Sequence, residues 1–187
     1  MERLDIRRLE FPKDLALLSR KVKGLPPKGV VEVFHSPKQL ERIRGWCSET
    51  GNVLREYSAE RSVVERGKGF HGVCLGEKIS FYLTGAKLHL KEYLLKVWGK
   101  YPPYLFNFIS IPEAQKGLKI LKTLGGDFTV LPSPKEVEGY CGFAVGFNDY
   151  QTCEGFFREL LLRGVGVEAI FQKVEGGFKI LKGAWEF

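Results

Sequence analysis

The chain has 187 residues, 44% of them hydrophobic and 13% aromatic, spread along its whole length, which excludes a disordered chain and supplies apolar material for two modest cores. Its 29 Lys and Arg against 22 Asp and Glu give a net charge of +7 and a pI near 9.2, which favours acidic partners, nucleic acid included, although no long run of like charges marks a binding tail. No segment reaches the roughly 20 apolar residues of a membrane span, and no apolar stretch follows the basic Arg3, Arg7 and Arg8, so the expected location is the cytoplasm, with reduced thiols and no membrane partner.

In chain order, Leu4, Ile6 and Leu9 suit a strand over Arg3–Leu9, and Pro12 then sits in the first turn of a helix reaching Gly24, where its missing N–H costs nothing. Leu15, Leu18 and Val22 form the buried stripe of that helix, and Lys21 and Lys23 lie at its negative end. Pro26-Pro27-Lys28-Gly29 breaks the chain before a strand Val30–Phe34. Ser36 is a fitting N-cap for a second helix, Pro37–Thr50, with Leu40, Ile43, Trp46 and Cys47 on one face and Gly51 as its stop. A strand Asn52–Ser58, a charged loop holding Arg61, Glu65, Arg66, Gly67, Lys68 and Gly69, and a strand Lys78–Leu83 complete a first unit that ends at Thr84-Gly85.

Lys87–Lys100 predicts a linking helix with Leu90, Leu94, Val97 and Trp98 on one face, ended by Tyr101-Pro102-Pro103. The second unit then reads strand Tyr104–Ile109, helix Pro112–Leu124, strand Phe128–Leu131, strand Phe143–Phe147, a helix capped by Asn148 or Asp149 and reaching Arg163, and strand Gly166–Lys173. That is the ferredoxin-like β-α-β-β-α-β order, to which the turn Glu175-Gly176-Gly177 adds a strand Phe178–Leu181. The expected division is 1–85, a linker at 86–102, and 103–187, in the α+β class.

Chemistry concentrates on cysteine. No Walker loop, dinucleotide fingerprint, Ser/His/Asp order or His-Glu-x-x-His motif is present, so no cofactor is called for, and Gly67-Lys68-Gly69 is too short for a phosphate loop. Zinc sites draw paired ligands at short spacing, and His71 and Cys74 form a lone close pair with no second pair to answer it, so no metal is expected. Cys47 and Cys153 fall on apolar helix faces and read as core, with Cys153 also placed to resolve a disulfide at Cys141. Cys74 is open to either a structural or a reactive reading. Cys141 stands between Tyr140 and Gly142, after the turn-rich run Pro132-Ser133-Pro134-Lys135-Glu136-Val137-Glu138-Gly139. Glycine there predicts an uncrowded sulfur, and Lys135 a nearby cation that favours the thiolate. On local features alone, a carrier thiol and a cysteine that merely begins a buried strand are equal readings.

Two resemblances bear on the choice. Leu4-Asp5-Ile6-Arg7-Arg8-Leu9-Glu10-Phe11-Pro12, Leu25-Pro26-Pro27-Lys28-Gly29 and Trp46-Cys47-Ser48-Glu49-Thr50-Gly51 resemble the TusA/SirA sulfur-carrier family over about residues 1–83. The resemblance implies a two-layer α/β sandwich with a persulfide-carrying Cys-Pro pair at the start of its first helix. Here Phe11-Pro12 stands at that pair, so the fold carries over and the carrier chemistry does not. Residues of about 103–173, through Val130-Leu131-Pro132-Ser133-Pro134-Lys135-Glu136 and Tyr140-Cys141-Gly142-Phe143-Ala144-Val145, are similar to a family described as sulfur- or selenium-carrier-like. That resemblance puts the motif cysteine at Cys141.

The expectation is therefore a cytoplasmic sulfur or selenium relay carrying a persulfide on Cys141, helped by Lys135 and Gly142, with the TusA-like half as a docking surface. Its partners would be sulfur donor and acceptor proteins, with tRNA modification one pathway left open, and its activity, if enzymatic, sulfur transfer. The alternatives are a non-catalytic protein-binding module and a basic RNA- or tRNA-binding protein.

Overall fold

A computed structural model describes residues 2–67, 87–137 and 139–187. In the first half the strands are β1 (Glu2–Asp5), β2 (Val30–Phe34), β3 (Val53–Tyr57) and β4 (Arg61–Glu65), with helices α1 (Lys13–Gly24) and α2 (Pro37–Thr50). They build a mixed sheet in the order β1-β2-β4-β3, parallel between β1 and β2 and antiparallel elsewhere. Strand alternation points Val31, Val33 and Val64 at the helices, where they share one buried cluster with Leu15, Leu18, Val22, Ile43, Trp46 and Cys47. The result is an α/β sandwich.

β4 is a correction, because its residues read as a charged loop. Its apolar content is only Val63 and Val64, yet Val64 and Ser62 are sealed against the helices while Arg61 and Glu65 turn outward to pair with Glu32 and Arg55. The first strand also stops sooner than expected, at Asp5, whose carboxylate accepts the Arg7 main-chain N–H at 3.1 Å and turns the chain. The expected strand Lys78–Leu83 lies outside the described residues.

Helix α3 spans 87–97. Its expected buried face is not buried, since Leu90, Val97 and Trp98 are 60%, 61% and 63% exposed. Leu95 instead packs on the group around Tyr101 and Leu105, the apolar cover within its reach.

In the second half, β5 (Tyr104–Phe108), α4 (Ile111–Leu124), β6 (Thr129–Pro132), β7 (Phe143–Phe147), α5 (Tyr150–Leu162), β8 (Val167–Val174) and β9 (Gly177–Gly183) precede a short 3-10 turn, Ala184–Glu186. Every pairing in the sheet β6-β7-β5-β8-β9 is antiparallel, which is the ferredoxin-like arrangement with β9 added at the β8 edge. Phe106 centres the core under α4 and α5, stacked on Phe147 at 5.4 Å and edge-on to Phe108 and Phe157. On the other face Leu105, Ala144, Ala169 and Phe171 take the loop residue Val137 among them.

The halves share helix α1. Its apolar stripe serves the first sheet, while Ser19 and Lys23 face β8, where Glu168 accepts the Ser19 hydroxyl at 2.9 Å and the Lys23 ammonium at 2.6 Å. Trp46 of α2 donates its indole N–H to the Ile109 carbonyl at 3.1 Å, a further bond between the halves.

Candidate functional site

The β6–β7 loop holds Cys141, and Phe11 stands just before the start of α1.

The loop is pinned along its length. The Ser133 N–H donates to the Gly142 carbonyl at 3.1 Å, the Val137 N–H to the Pro134 carbonyl at 2.9 Å, and the buried Asn107 amide to the Val137 carbonyl at 2.9 Å. Gly142 has φ +73°, which a side chain would strain. Gly139 serves close approach, because a Cβ there would stand 3.0 Å from the Asn107 amide nitrogen and 3.1 Å from the Phe108 carbonyl.

These restraints press Cys141 inward rather than presenting it, and the expectation of an uncrowded sulfur is corrected. Cys141 is 6% exposed, within the cluster that holds Trp46, Val22 and Phe108, and its thiol donates to the Phe143 carbonyl at 3.0 Å. Burial raises its pKa, with a smaller raise from the charge of Glu168, against lowering contributions from the Phe143 and Phe108 backbone and from the charge of Lys23. Lys23, not Lys135, is thus the cation that acts on the sulfur; Lys135 stands exposed on the loop. Tyr140 covers the site, edge-on to Trp46 at 5.3 Å, with the Lys23 ammonium 5.9 Å from its ring centre.

The other described thiols are closed as well. Cys47 is 3% exposed and its pKa is pushed up to about 12 by burial; Cys153 is fully buried and its pKa is raised for the same reason. The described cysteines are all free. Cys74, with its neighbour His71, lies outside the described residues. Among the described residues no three His, Cys, Asp or Glu side chains converge to hold a metal ion.

The cluster beside Cys141 was not anticipated. Glu168 is fully buried and bound by Ser19 and Lys23, with Arg20 at 3.8 Å. The sequence signal existed: one carboxylate interrupts the run Val165-Gly166-Val167-Glu168-Ala169-Ile170-Phe171, and a buried charge calls for a partner.

At the other place, a buried network fixes the start of α1. Gln39 of α2 donates to the Ile6 and Leu9 carbonyls, both at 2.8 Å, and Arg42 pairs with the fully buried Asp14 at 2.7 Å. Phe11 is held half-buried above this network with the Arg42 guanidinium 5.8 Å from its ring centre. Its outer side borders a cleft of about 700 Å³ between the N-terminal segment, α5 and the last turn of the chain. Trp185 and Leu161 supply apolar wall, and Arg8, Lys13 and Arg158 bring positive charge against the single carboxylate of Glu10. The volume lies in the range of small-ligand pockets, roughly 300–1,000 Å³.

Comparison with protein-family models, with curated proteins and with solved structures found no match for this chain. Among the described residues, no helix is long and apolar enough to cross a membrane.

Proposed function

We propose that this chain is a non-catalytic binding module, built on a carrier-like α/β sandwich fused to a ferredoxin-like half, whose working surface is the cleft at Phe11 rather than the thiol at Cys141. The observation that carries this reading is the closure of the described thiols: Cys47, Cys141 and Cys153 are buried and burial raises all three pKa values. A thiolate is the nucleophile and the persulfide carrier, so each of these positions lacks both access and the reactive form. The surface charge favours no single partner class, because many cations are already paired, Arg3 and Arg61 with Glu32 and Arg55 with Glu65.

One second reading is the sulfur relay, favoured by the Phe143 and Phe108 main chain and the Lys23 charge, which lower the Cys141 pKa against burial and the charge of Glu168. In it the loop opens, the Cys141 thiolate attacks the outer sulfur of a donor persulfide, the donor S–S bond breaks, and the electron pair leaves on the donor cysteine thiolate. Both readings face one experiment. In a Cys74→Ser background, the folded protein is incubated with a persulfide donor and its intact mass is measured. The binding-module reading expects no added sulfur until denaturant is present. Addition of sulfur to the folded protein that disappears in Cys141→Ser would replace it with the relay.

A further inference from the structure

We infer that the cleft between Phe11 and α5 binds the carboxylate of a ligand with an apolar or aromatic body, a specific ligand class that rests on the binding-module reading. The cleft wall already sets cations against an aromatic ring and a main-chain oxygen of the chain itself. The Phe187 ring lies under two cations, with the Lys182 ammonium 3.9 Å and the Arg158 guanidinium carbon 4.6 Å from its centre, and Lys13 donates to the main-chain oxygen of the same residue. Aromatic faces attract cations through the ring quadrupole, and an oxygen beside the ring then takes an ammonium N–H.

The remaining cleft repeats those elements without an occupant's contacts. Phe11 and Trp185 offer aromatic surface, and Leu162 is 84% exposed at the rim. The Arg8 guanidinium forms no hydrogen bond or ion pair with the described residues, and its charge is registered only weakly, at Asp5. Asp5 already holds the Arg7 guanidinium at 2.6 Å, and that bond is the main reason its pKa falls to about 2, so Asp5 does not occupy Arg8. Arg158 is paired with Glu154 and Lys13 has only the main-chain oxygen of Phe187, so among the described residues Arg8 and Lys13 are the lining cations without a carboxylate partner, and Arg8 is the one with no hydrogen bond at all. A planar guanidinium suits the two oxygens of a carboxylate, and the aromatic wall suits the ligand body.

The test is titration of the ¹⁵N-labelled full chain with 3-phenylpropionate, with its neutral amide, and with acetyl-Gly-Gly-Phe bearing a free carboxyl terminus. The acid is expected to shift the amides of Arg8, Phe11, Leu162 and Trp185 and to bind about tenfold more tightly than the amide, as one charge-assisted hydrogen-bonded contact supplies. Arg8→Gln should remove that tenfold difference while leaving the rest of the spectrum in place. Tighter binding of the peptide than of the small acid identifies a protein carboxyl terminus as the source; the reverse identifies a small metabolite. Absence of shifts at about 10 mM acid, well above weak millimolar affinities, equal binding of acid and amide, or an unchanged preference in Arg8→Gln would overturn the inference. Such a failure leaves the thiols as closed as before, so it is distinct from failure of the binding-module reading, which shows as sulfur added to folded Cys141.

Discussion

Phe11 and Cys141, one in each half of the chain, differ in opposite ways in access and in chemistry. Phe11 stands at an open cleft with no reactive atom, whereas Cys141 has the atom and is 6% exposed, its thiol tied to the Phe143 carbonyl. A persulfide carrier needs access and a thiol in one place, and neither Phe11 nor Cys141 combines the two. The difference also shows in what surrounds them. The Phe11 cleft is walled by segments that leave space, while the Cys141 loop is closed by Tyr140, Trp46 and the shared helix α1.

The comparison can be broken most forcefully at Glu168. Glu168→Ala removes the carboxylate that both Ser19 and Lys23 use to hold the halves beside Cys141, and a buried ion pair that loses one partner costs about 3–5 kcal/mol. Chemical denaturation should show that loss, together with faster Cys141 alkylation; unchanged stability and protection would mean that the loop is sealed by something else. Gly139→Ala should cost less, about 1–3 kcal/mol, because its Cβ would press on Asn107 and Phe108 and lift the loop. A substitution there without effect would show that the loop is not held down on β5. At the Phe11 side, Arg8→Gln should alter stability by less than about 0.5 kcal/mol, as an exposed side chain with no ion pair among the described residues should. A larger loss would show that Arg8 supports the fold instead of facing a ligand.

Local periodicity made most of the fold legible. The stripe Leu15, Leu18 and Val22, the caps Ser36 and Asp149, and the β-α-β-β-α-β order are all properties of short segments, and each has its counterpart in the structure. β4 is hidden in the sequence because a central strand needs only alternation, and two valines among charges look like a loop until Arg61 and Glu65 find outward partners. The helix at 87–97 follows from its own pattern but its buried face does not, since what buries a helix face is its neighbour.

The site was less legible for the same reason. Turn residues in the β6–β7 loop suggested freedom, and the bond from Asn107 to the Val137 carbonyl, across 30 residues of sequence, removed it. The lysine local to Cys141 in sequence is Lys135, but the one that acts on it comes from α1. The cleft joins segments near residues 8–13, 158–162 and 185–187, which no sequence window contains together.

The central claim, that Cys141 is a packed residue and not a presented thiol, is tested most directly by its alkylation rate. In the Cys74→Ser protein at pH 8, iodoacetamide labelling of Cys141 followed by peptide mass mapping should run at least about 100-fold slower in the folded than in the denatured protein, the factor set by an opening cost of about 3 kcal/mol. Labelling of the folded protein at the denatured rate would contradict the account.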